Sequence, residues 1–462
     1  MTETAMLAPE INAPATLLTA DEKAIRKRLR KAKLKEWTMF DSIIAKRGIA
    51  SMQYAKARLQ FARGKTLAGW QTLMRVHRAD LSPSIDRKIE RRLTAAIASG
   101  ELQTVLAQFV AETNMGGRVA DLMANPTKLF GPHATVLKSA KDNEKGVLLL
   151  NYSYVYAPFA KLFDLEKIAE KYYMVLEPSW IGTCDESILA YGFLSSPVFV
   201  QSSEPRDIEF LKRLPSNLVS VRTAANWWVD HELYKPLPDI KKDADVVMVA
   251  SWAEFKRHSQ FFQVIAQLRK QGRPLKILLA GYPSGLQKQD IENLAMLHGV
   301  RDLVEIHEWL PPEEVNILMN RAKVNVVWSR REGSNRAVIE GLFAGLPFIL
   351  RAGFNFGHHH EHVNPQTGQY VEESDLPRAI LHMLENRSQY KPREWAMNHM
   401  TCQHATAILE DTICAEVVRR GEPWSGSLVP HMSVLHGNKY LDESLWERFA
   451  DDYVFLKTTL RK

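Results

Sequence analysis

Two carboxylates, Glu332 and Glu340, stand on either side of a Gly-Ser-Asn stretch in the segment WSRREGSNRAVIEGLFAGLPFIL, residues 328–350. A glycine followed by residues that favour helix N-caps is typical of a helix start, where free N–H groups and the helix dipole bind phosphate. A carboxylate in contact with phosphate would be repelled, so the glutamates must serve other groups of a ligand. The pattern predicts a ligand with negative charge in its middle and hydroxyls at both ends, which is the shape of a nucleotide diphospho-sugar.

The spacing of the two glutamates assigns a part of this ligand to each of them. If the helix begins near Asn335, Glu340 lies about 7 Å further along its axis, at about 1.5 Å per residue. This distance suits a diphosphate at the helix end with a ribose beside the next turn, since dinucleotide-binding folds use a carboxylate to accept from ribose hydroxyls. Glu332 precedes the helix and can reach sugar hydroxyls on the other side of the phosphates. The alternative interpretation is that both glutamates are solvated residues on a helix surface.

The elements that would position these residues form two successive series of strands and helices. Short apolar runs, beginning with GVLLLNYS at residue 146, predict buried parallel strands with crossover helices. The Pro-containing stretch YKPLPDIKKDAD (234–245) predicts a linker, after which a second alternating series begins with DVVMVASW. We therefore predict an α/β protein with two Rossmann-like domains, residues 146–240 and 241–400, facing each other across a cleft.

The remaining segments differ in composition from these two series. Residues 1–20 are rich in Ala, Pro and Thr and are predicted to be a disordered tail. Residues 21–145 contain few glycines or prolines and predict a basic helical region that opens with the cationic run DEKAIRKRLRKAKLKEW. Residues 401–462 are predicted to be mostly helical.

The bulk composition predicts a soluble cytoplasmic protein. A chain of 462 residues is too long for one compact core, and 45% hydrophobic with 24% charged residues is ordinary for a globular protein. The 3 cysteines form no metal-binding or disulfide pattern, which favours a reducing compartment. The N-terminus does not resemble a signal peptide, and no apolar run reaches the roughly 18–20 residues of a membrane-spanning helix.

The signature segment also resembles that of a known family. EGSNRAVIE followed by GLFAGLPFI, with two glutamates separated by seven residues, resembles the donor site of retaining GT-B glycosyltransferases of family 4, the glycosyl transferases group 1. VVMVASWAEFKRH, LKILLAGYP, LVEIHEWLPPEEV and TGQYVE resemble other segments of that family in the same order. The resemblance implies an acceptor-side domain at 146–240, a nucleotide-sugar-binding domain at 241–400 and C-terminal helices that pack back on the first domain.

The resemblance further implies a role for each candidate residue. Lys256 would offset the charge of the donor diphosphate, Glu332 would contact the donor sugar and Glu340 the ribose. Glycosyl transfer builds negative charge on the leaving diphosphate, so a fixed cation and amide dipoles there lower the barrier. Lys256 and Glu332 are thus the candidate catalytic residues, and the donor-binding candidates are Gly333, Ser334, Asn335, Glu340 and Arg257.

One position departs from the family pattern. The family usually carries an arginine five residues before the lysine, and this sequence has Ser251 there. Arg257 directly follows the lysine and could replace the missing charge, as could Arg330 or Arg331 from the signature loop.

The implied activity is that of a glycosyltransferase of the hexosyltransferase type. It would move a sugar, with retention, from a nucleotide-diphosphate donor to a glycan or lipid-linked acceptor, in surface polysaccharide or glycoconjugate synthesis. No cofactor and no metal are expected, since the nucleotide-sugar is a substrate. Two alternatives are a nucleotide-sugar epimerase or hydrolase on the same fold, and a catalytically silent GT-B protein that binds or scaffolds, which the missing arginine favours.

Three further features have alternative interpretations. The stretch GHHHEH (357–362) can be interpreted as a metal site, as a contact with the donor or the acceptor, or as an exposed loop. The basic run is a solvated helix face or a peripheral contact with an anionic membrane at the inner face, and it lacks the aromatics that nucleic-acid binding would require. Trp180, Trp227 and Trp228 border the predicted cleft and either stack on sugar rings or pack in the core.

Overall fold

The computed structural model describes residues 22–141, 143–179, 182–202, 204–353, 362–434 and 437–461. The predicted α/β class is confirmed: two sheets of mainly parallel strands are flanked by an N-terminal helical region and by C-terminal helices. The predicted disordered tail, residues 1–20, lies outside the described residues.

The N-terminal helices divide between the two sheets. The basic run forms one helix, α1, and its apolar residues Ile25 and Leu29 pack against the core of the second sheet. Helices α3 to α5 instead bury Trp70, Leu93 and Leu102 in a core shared with the first sheet. The bounds are α1 (Glu22–Glu36), a π-helical turn (Trp37–Asp41), α2 (Ile43–Ala62), α3 (Thr66–Ala79), α4 (Pro83–Ala98), α5 (Glu101–Ala111) and α6 (Ala120–Ala124).

The first sheet has its strands in chain order, β1 to β5, with β1 antiparallel and the others parallel. Because parallel crossovers are right-handed, this order places the connecting helices on one face of the sheet. The other face packs against the linker and the C-terminal region. The elements are β1 (Ala134–Lys138), β2 (Gly146–Asn151), α7 (Ser153–Leu162), α8 (Leu165–Lys171), β3 (Tyr172–Glu177), α9 (Glu186–Leu189), β4 (Val198–Gln201), α10 (Pro205–Arg213) and β5 (Leu218–Val221).

The second sheet is fully parallel, in the order β11-β10-β9-β6-β7-β8. The chain leaves β6 in one direction and returns on its other side with β9, so the gap between their carboxyl ends is a topological switch point, where α/β folds bind ligands. The elements are β6 (Val246–Val249), α11 (His258–Lys270), β7 (Ile277–Gly281), α12 (Lys288–Leu297), β8 (Val304–Glu308), α13 (Pro312–Arg321), β9 (Val324–Val327), α14 (Arg336–Phe343), β10 (Phe348–Arg351) and β11 (Gly368–Val371).

The C-terminal region returns to the first sheet. Tyr172 on β3 donates its hydroxyl to Asp452 at 2.5 Å, and the N–H of Val136 on β1 donates to the hydroxyl of Tyr453 at 3.2 Å. A hairpin, β12 (His431–Val434) and β13 (Gly437–Tyr440), interrupts the helices that the sequence predicts for this region. The helices are α15 (Leu376–Glu385), α16 (Pro392–His399), α17 (Cys402–Arg419), α18 (Leu445–Arg448) and α19 (Ala450–Lys457).

Candidate functional site

The switch point of the second sheet brings together the two loops that the sequence singles out. Lys256 lies in the loop after β6, and Glu332 lies in the loop after β9. The backbone N–H of Arg330 donates to the carbonyl of Phe255 at 2.7 Å and so fastens one loop to the other. Lys256 Nζ donates to Glu332 Oε1 at 2.5 Å, and each side chain is only about a tenth exposed.

Helix α14 begins directly behind this ion pair. Asn335 occupies its N-cap position with an extended backbone, so the first-turn amides face the switch point. The carbonyl of Ser334 accepts a 2.5 Å hydrogen bond from Asn226 Nδ2, which ties the signature loop to the segment that joins the two domains. The buried Ser334 Oγ makes no hydrogen bond with any described residue. The helix start therefore offers amide and hydroxyl donors beside the Lys256 ammonium.

Glu340 lies one turn into α14, with 5% of its surface exposed. Arg336 Nε donates to Glu340 Oε1 at 2.6 Å, and Arg336 also donates to the carbonyl of Ser433 on the C-terminal hairpin. Burial raises the pKa of Tyr234, and the Glu340 carboxylate beside it raises that pKa further. The Glu340 carboxylate is thus held between an arginine and a tyrosine, and its contact with a ribose stays a prediction.

Two of the arginines that could replace the missing family arginine are paired with the N-terminal region. Arg257, in a left-handed backbone conformation with φ 61°, forms ion pairs with Glu36 at 3.0 Å and Glu373 at 2.8 Å. Arg330 pairs with Asp41 and lies 3.6 Å from Glu36. Both guanidinium groups are nearly inaccessible to solvent. Carboxylates of the segment after α1 thus stand against cations that flank the switch point.

Arg351 completes this cation cluster and was not singled out from the sequence. It ends β10, beside β9, and its Nη2 lies 3.4 Å from Glu373. Burial lowers the pKa of Arg351, and the nearby charges of Arg257 and Arg330 lower it further. The signal for Arg351 was its position directly after the apolar run LPFIL, at the same sheet edge as the signature loop.

Arg331 contacts the first domain. Its guanidinium lies 3.4 Å from Glu204, which caps α10 after β4, and 3.4 Å from the carbonyl of Arg78. Burial raises the pKa of Glu204 to about 7, so this carboxyl titrates near neutrality. The three arginine substitutes suggested by the sequence therefore all form ion pairs in this structure.

Helix α1 also encloses a cavity against the second domain. The space, about 440 Å³, is mainly apolar and lies between α1 and residues 253–260. His258 lines it and is 2% exposed, and neither ring nitrogen has a hydrogen-bond partner among the described residues. Burial lowers the pKa of His258 to about 3, and the Lys256 charge contributes to that shift.

A family match covers the segment that holds the Lys256–Glu332 pair. Residues 231–399 carry a Glycosyl transferases group 1 domain. This group 1 domain contains Lys256, the signature loop and Glu340, and it spans less than half of the chain. No curated protein matches the chain.

Several solved structures are similar to the chain. Sucrose-phosphate synthase from Thermosynechococcus elongatus aligns with 18% identity and a TM-score of 0.44, over 60% of this chain and 73% of that one. Anabaena HepE in complex with UDP and glucose aligns with 15% identity and a TM-score of 0.44, over 59% and 78%. WaaG, a glycosyltransferase involved in lipopolysaccharide biosynthesis, aligns with 14% identity and a TM-score of 0.37, over 53% and 77%.

The sequence also singles out three tryptophans, which precede the group 1 domain, and a histidine-rich stretch within it. Trp227 and Trp228 are 4% and 0% exposed, and Trp228 Nε1 donates to Thr406 Oγ1 at 3.1 Å, so both pack in the core. His362 is buried, with its ring 5.3 Å from that of Trp227. Trp180 and the rest of the histidine-rich stretch lie outside the described residues.

The described residues were compared with the side-chain clusters that bind metal ions and with the helices that span membranes. Within the ranges given above, no cluster of three or more His, Cys, Asp or Glu side chains has the arrangement of a metal site. Over the same ranges, no helix combines the length and the apolar composition that are needed to cross a bilayer.

Proposed function

We propose that the chain is a glycosyltransferase that moves a sugar from a nucleotide-diphosphate donor to a glycan or lipid-linked acceptor. The observation that carries this proposal is the convergence of Lys256, Glu332 and the start of α14 at the switch point of the group 1 domain. A cation and amide dipoles at one point suit the leaving diphosphate, because they stabilise the negative charge that develops there.

Donor binding would break the ion pair between Lys256 and Glu332 and keep the one between Arg336 and Glu340. A phosphate oxygen would replace Glu332 as the partner of Lys256, and the freed carboxylate would accept hydrogen bonds from the sugar. Glu340 would accept from the ribose while Arg336 holds its orientation. Each group would thus meet a part of the donor that matches its charge and hydrogen-bonding character.

Retention of the anomeric configuration, a hexose as the transferred group and family 4 membership belong to the same proposal. They follow from the resemblance of the signature residues. The same resemblance supports catalysis without a metal ion, with Lys256 and the α14 amides neutralising the diphosphate.

Calorimetric titration with UDP, GDP, ADP and dTDP, followed by the matching diphospho-sugars, tests the donor site. We expect one nucleotide to bind with a micromolar dissociation constant, which corresponds to about 8 kcal/mol. Lys256→Ala should abolish this binding, whereas Lys270→Ala, an exposed lysine at the end of α11, should leave it unchanged. Absence of binding by every nucleotide would contradict the proposal.

A second candidate is a catalytically silent protein that binds a nucleotide. Two observations favour it: Ser251 replaces the family's arginine, and Arg257 and Arg330 are paired with Glu36 and Asp41. Nucleotide binding without turnover of any donor, in the presence of extracted glycan and lipid acceptors, would select this candidate. Release of nucleotide and an altered sugar without any acceptor would instead select the epimerase or hydrolase alternative.

We also propose a cytoplasmic location with peripheral contact to an anionic membrane. Helix α1 carries Lys27 and Lys31 on its exposed side, and basic residues near a surface gain about 1 kcal/mol each from anionic lipid. Sedimentation with phosphatidylglycerol vesicles but not with phosphatidylcholine vesicles would support this contact, and a Lys27→Glu, Lys31→Glu variant should lose it.

A further inference from the structure

The first sheet ends in a row of polar side chains that the donor site does not use. Asn151, Glu177 and Gln201 are the last residues of β2, β3 and β4. The strand registers set Asn151 opposite Glu177, and Leu176 opposite Val200, so the three side chains lie at one level and on one face. The residues two positions earlier belong to the apolar core of that face: Leu149, Val175 and Phe199.

Contacts within the row leave much of its hydrogen-bonding capacity unused. Gln201 Nε2 donates to Glu177 Oε2 at 3.2 Å, and Asn151 Oδ1 lies 3.0 Å from His133 Nδ1. The opposite atoms of the same side chains have no partner among the described residues: Asn151 Nδ2, Glu177 Oε1 and Gln201 Oε1. The three residues are 0%, 0% and 2% exposed, so water on the molecular surface does not satisfy these atoms.

The C-terminal hairpin adds a fourth polar side chain to the row. His431 opens β12, is 0% exposed and stacks on the ring of Trp228 at 4.8 Å between centroids. Its Nε2 lies 3.9 Å from Glu177 Oε2, beyond hydrogen-bond distance, and neither ring nitrogen has a partner among the described residues. The hairpin therefore brings a donor and an acceptor to the end of a row that already has both.

Buried polar atoms without partners are rare, because each costs about 1–3 kcal/mol when it is left unpaired. Gln201 and His431 both approach Glu177, and Asn151 stands opposite Glu177 in the strand register. These four residues, contributed by three strands and a hairpin, form a set that a ligand can satisfy. The set mixes donors, on Asn151 and His431, with acceptors on Glu177 and Gln201. A hydroxyl group both donates and accepts, so a compound with adjacent hydroxyls matches it.

We propose that this row, defined as Asn151, Glu177, Gln201 and His431, binds the hydroxyl-rich, uncharged part of the acceptor, so that the acceptor is a neutral saccharide at this point. The proposal rests on the proposed function, because it names the acceptor class of that reaction. The row is at the carboxyl ends of the first sheet, and the segment beside it contacts the donor loop through Asn226 and Ser334.

The negative charge of Glu177 argues against an acceptor that carries a phosphate or a carboxylate at this point. Glu177 is buried, and among the described residues no lysine or arginine forms an ion pair with it. A phosphate or carboxylate next to the reacting hydroxyl would meet this carboxylate in a medium of low polarity, where like charges repel strongly. Because the row is fully buried, admission of an acceptor requires movement of the hairpin or opening of the cleft, as in other two-domain enzymes.

Transfer and binding experiments with matched saccharides test the proposal. Nucleotide release from the identified donor is measured with glucose against glucose 6-phosphate, and with maltose against maltose 1-phosphate. We expect a neutral compound to raise nucleotide release above hydrolysis, and each phosphorylated partner to be the poorer acceptor. Glu177→Gln should raise the KM of the neutral acceptor by about ten- to hundred-fold, as the loss of a hydrogen bond to a charged group implies.

Nucleotide affinity in the same variant separates this role from a general loss of fold. The nucleotide dissociation constant of Glu177→Gln should equal that of wild type, and Glu170→Gln, an exposed glutamate on α8, should behave as wild type in both measurements. Preference for a phosphorylated acceptor, an unchanged KM in Glu177→Gln, or no stimulation by any neutral saccharide although nucleotide binds, would overturn the proposal.

Binding without donor distinguishes a failure of this proposal from a failure of the donor site. Saturation-transfer NMR with maltose should show contact in wild type that Glu177→Gln and His431→Ala lose. If no nucleotide binds but this contact is present, the donor assignment fails and the saccharide row stands. If the contact is absent in wild type, the row holds water only and the proposal is wrong.

Discussion

Lys256 and Glu332, which the sequence assigns to the diphosphate and the sugar of one donor, contact each other directly, with Lys256 Nζ 2.5 Å from Glu332 Oε1. The contact arises because β6 and β9 are neighbours in the sheet, although two other strands of that sheet, β7 and β8, lie between them along the chain. A donor must break this ion pair before both groups can serve it.

The ion pair predicts opposite effects of its two single substitutions. Glu332→Gln removes the competitor for Lys256, so nucleotide affinity should stay constant or rise while turnover falls by about 10²–10³. Lys256→Ala should weaken nucleotide binding and turnover together. Calorimetry and steady-state kinetics check both, and a Glu332→Gln variant that loses nucleotide affinity as Lys256→Ala does would contradict the assignment.

Glu340 should determine the preference for ribose over deoxyribose. In wild type we expect the ribonucleotide to bind more tightly than its 2′-deoxy analogue, and Glu340→Gln should remove about 1–3 kcal/mol of this difference by weakening the hydrogen bonds to the hydroxyls. Titration of both nucleotides into both proteins measures it. Glu385→Gln, an exposed pair partner of Arg273, is the control, and an unchanged preference in Glu340→Gln would exclude the ribose assignment.

The carboxylates after α1 should compete with an anionic ligand for the arginine cluster. In a Glu36→Gln, Asp41→Asn variant, Arg257 and Arg330 lose partners. Because Asp41 is 48% exposed and Arg257 keeps Glu373, the free energy of unfolding should fall by about 1–3 kcal/mol, which is less than the loss of a fully buried ion pair would cost. Nucleoside diphosphate should then raise the Tm of this variant more than that of wild type, because phosphate replaces the lost carboxylates.

Differential scanning calorimetry with and without the nucleotide checks this competition. Glu22→Gln is the matched control, since Glu22 pairs with Arg26 on the exposed side of the same helix. An equal rise in Tm for the double variant and wild type would show that the cluster stabilises the fold and does not face the donor.

His258 should make the protein less stable as the pH falls. Its pKa is lowered to about 3 in the folded state, so below about pH 6.5 the unfolded chain binds a proton that the folded chain does not. Between pH 7 and pH 5 this difference should cost wild type about 2 kcal/mol relative to His258→Gln. Urea unfolding of both proteins at several pH values measures the effect. Parallel pH curves would show that the pKa of His258 is the same in the folded and the unfolded chain.

The sequence predicts the second domain well, because each of its strands and the start of α14 are encoded in a short continuous segment. DVVMVASW, LKILLAGYP and KVNVVWS each give a strand, and the signature segment gives a loop and a helix start. Strand β1 and the hairpin were missed because their strands are only five or four residues long and are flanked by segments of helical composition. Strand β1 pairs with the next strand, where Ala134 lies opposite Leu150, and the hairpin is held by a distant contact, since the N–H of Ser433 donates to the carbonyl of Trp228.

Ion pairs between distant residues could not be predicted. Arg330 is 289 residues from Asp41 along the chain, and the sequence offers no rule that joins a signature arginine to a turn after the first helix. The polar row of the first sheet did leave a signal, since GVLLLN, YYMVLE and VFVQ each end an apolar strand with a polar residue. That signal becomes meaningful only when the register sets the three ends at one level.

The return of the C-terminal helix to the first sheet has a consequence for synthesis on the ribosome. Domains usually fold in the order in which they are translated, but β1 and β3 here await Tyr453 and Asp452, which lie 317 and 280 residues further along the chain than Val136 and Tyr172. The strands of the second sheet are contiguous and complete by residue 371. We therefore expect the nascent chain to fold its second domain first and to complete the first only after residue 453 has emerged from the ribosome.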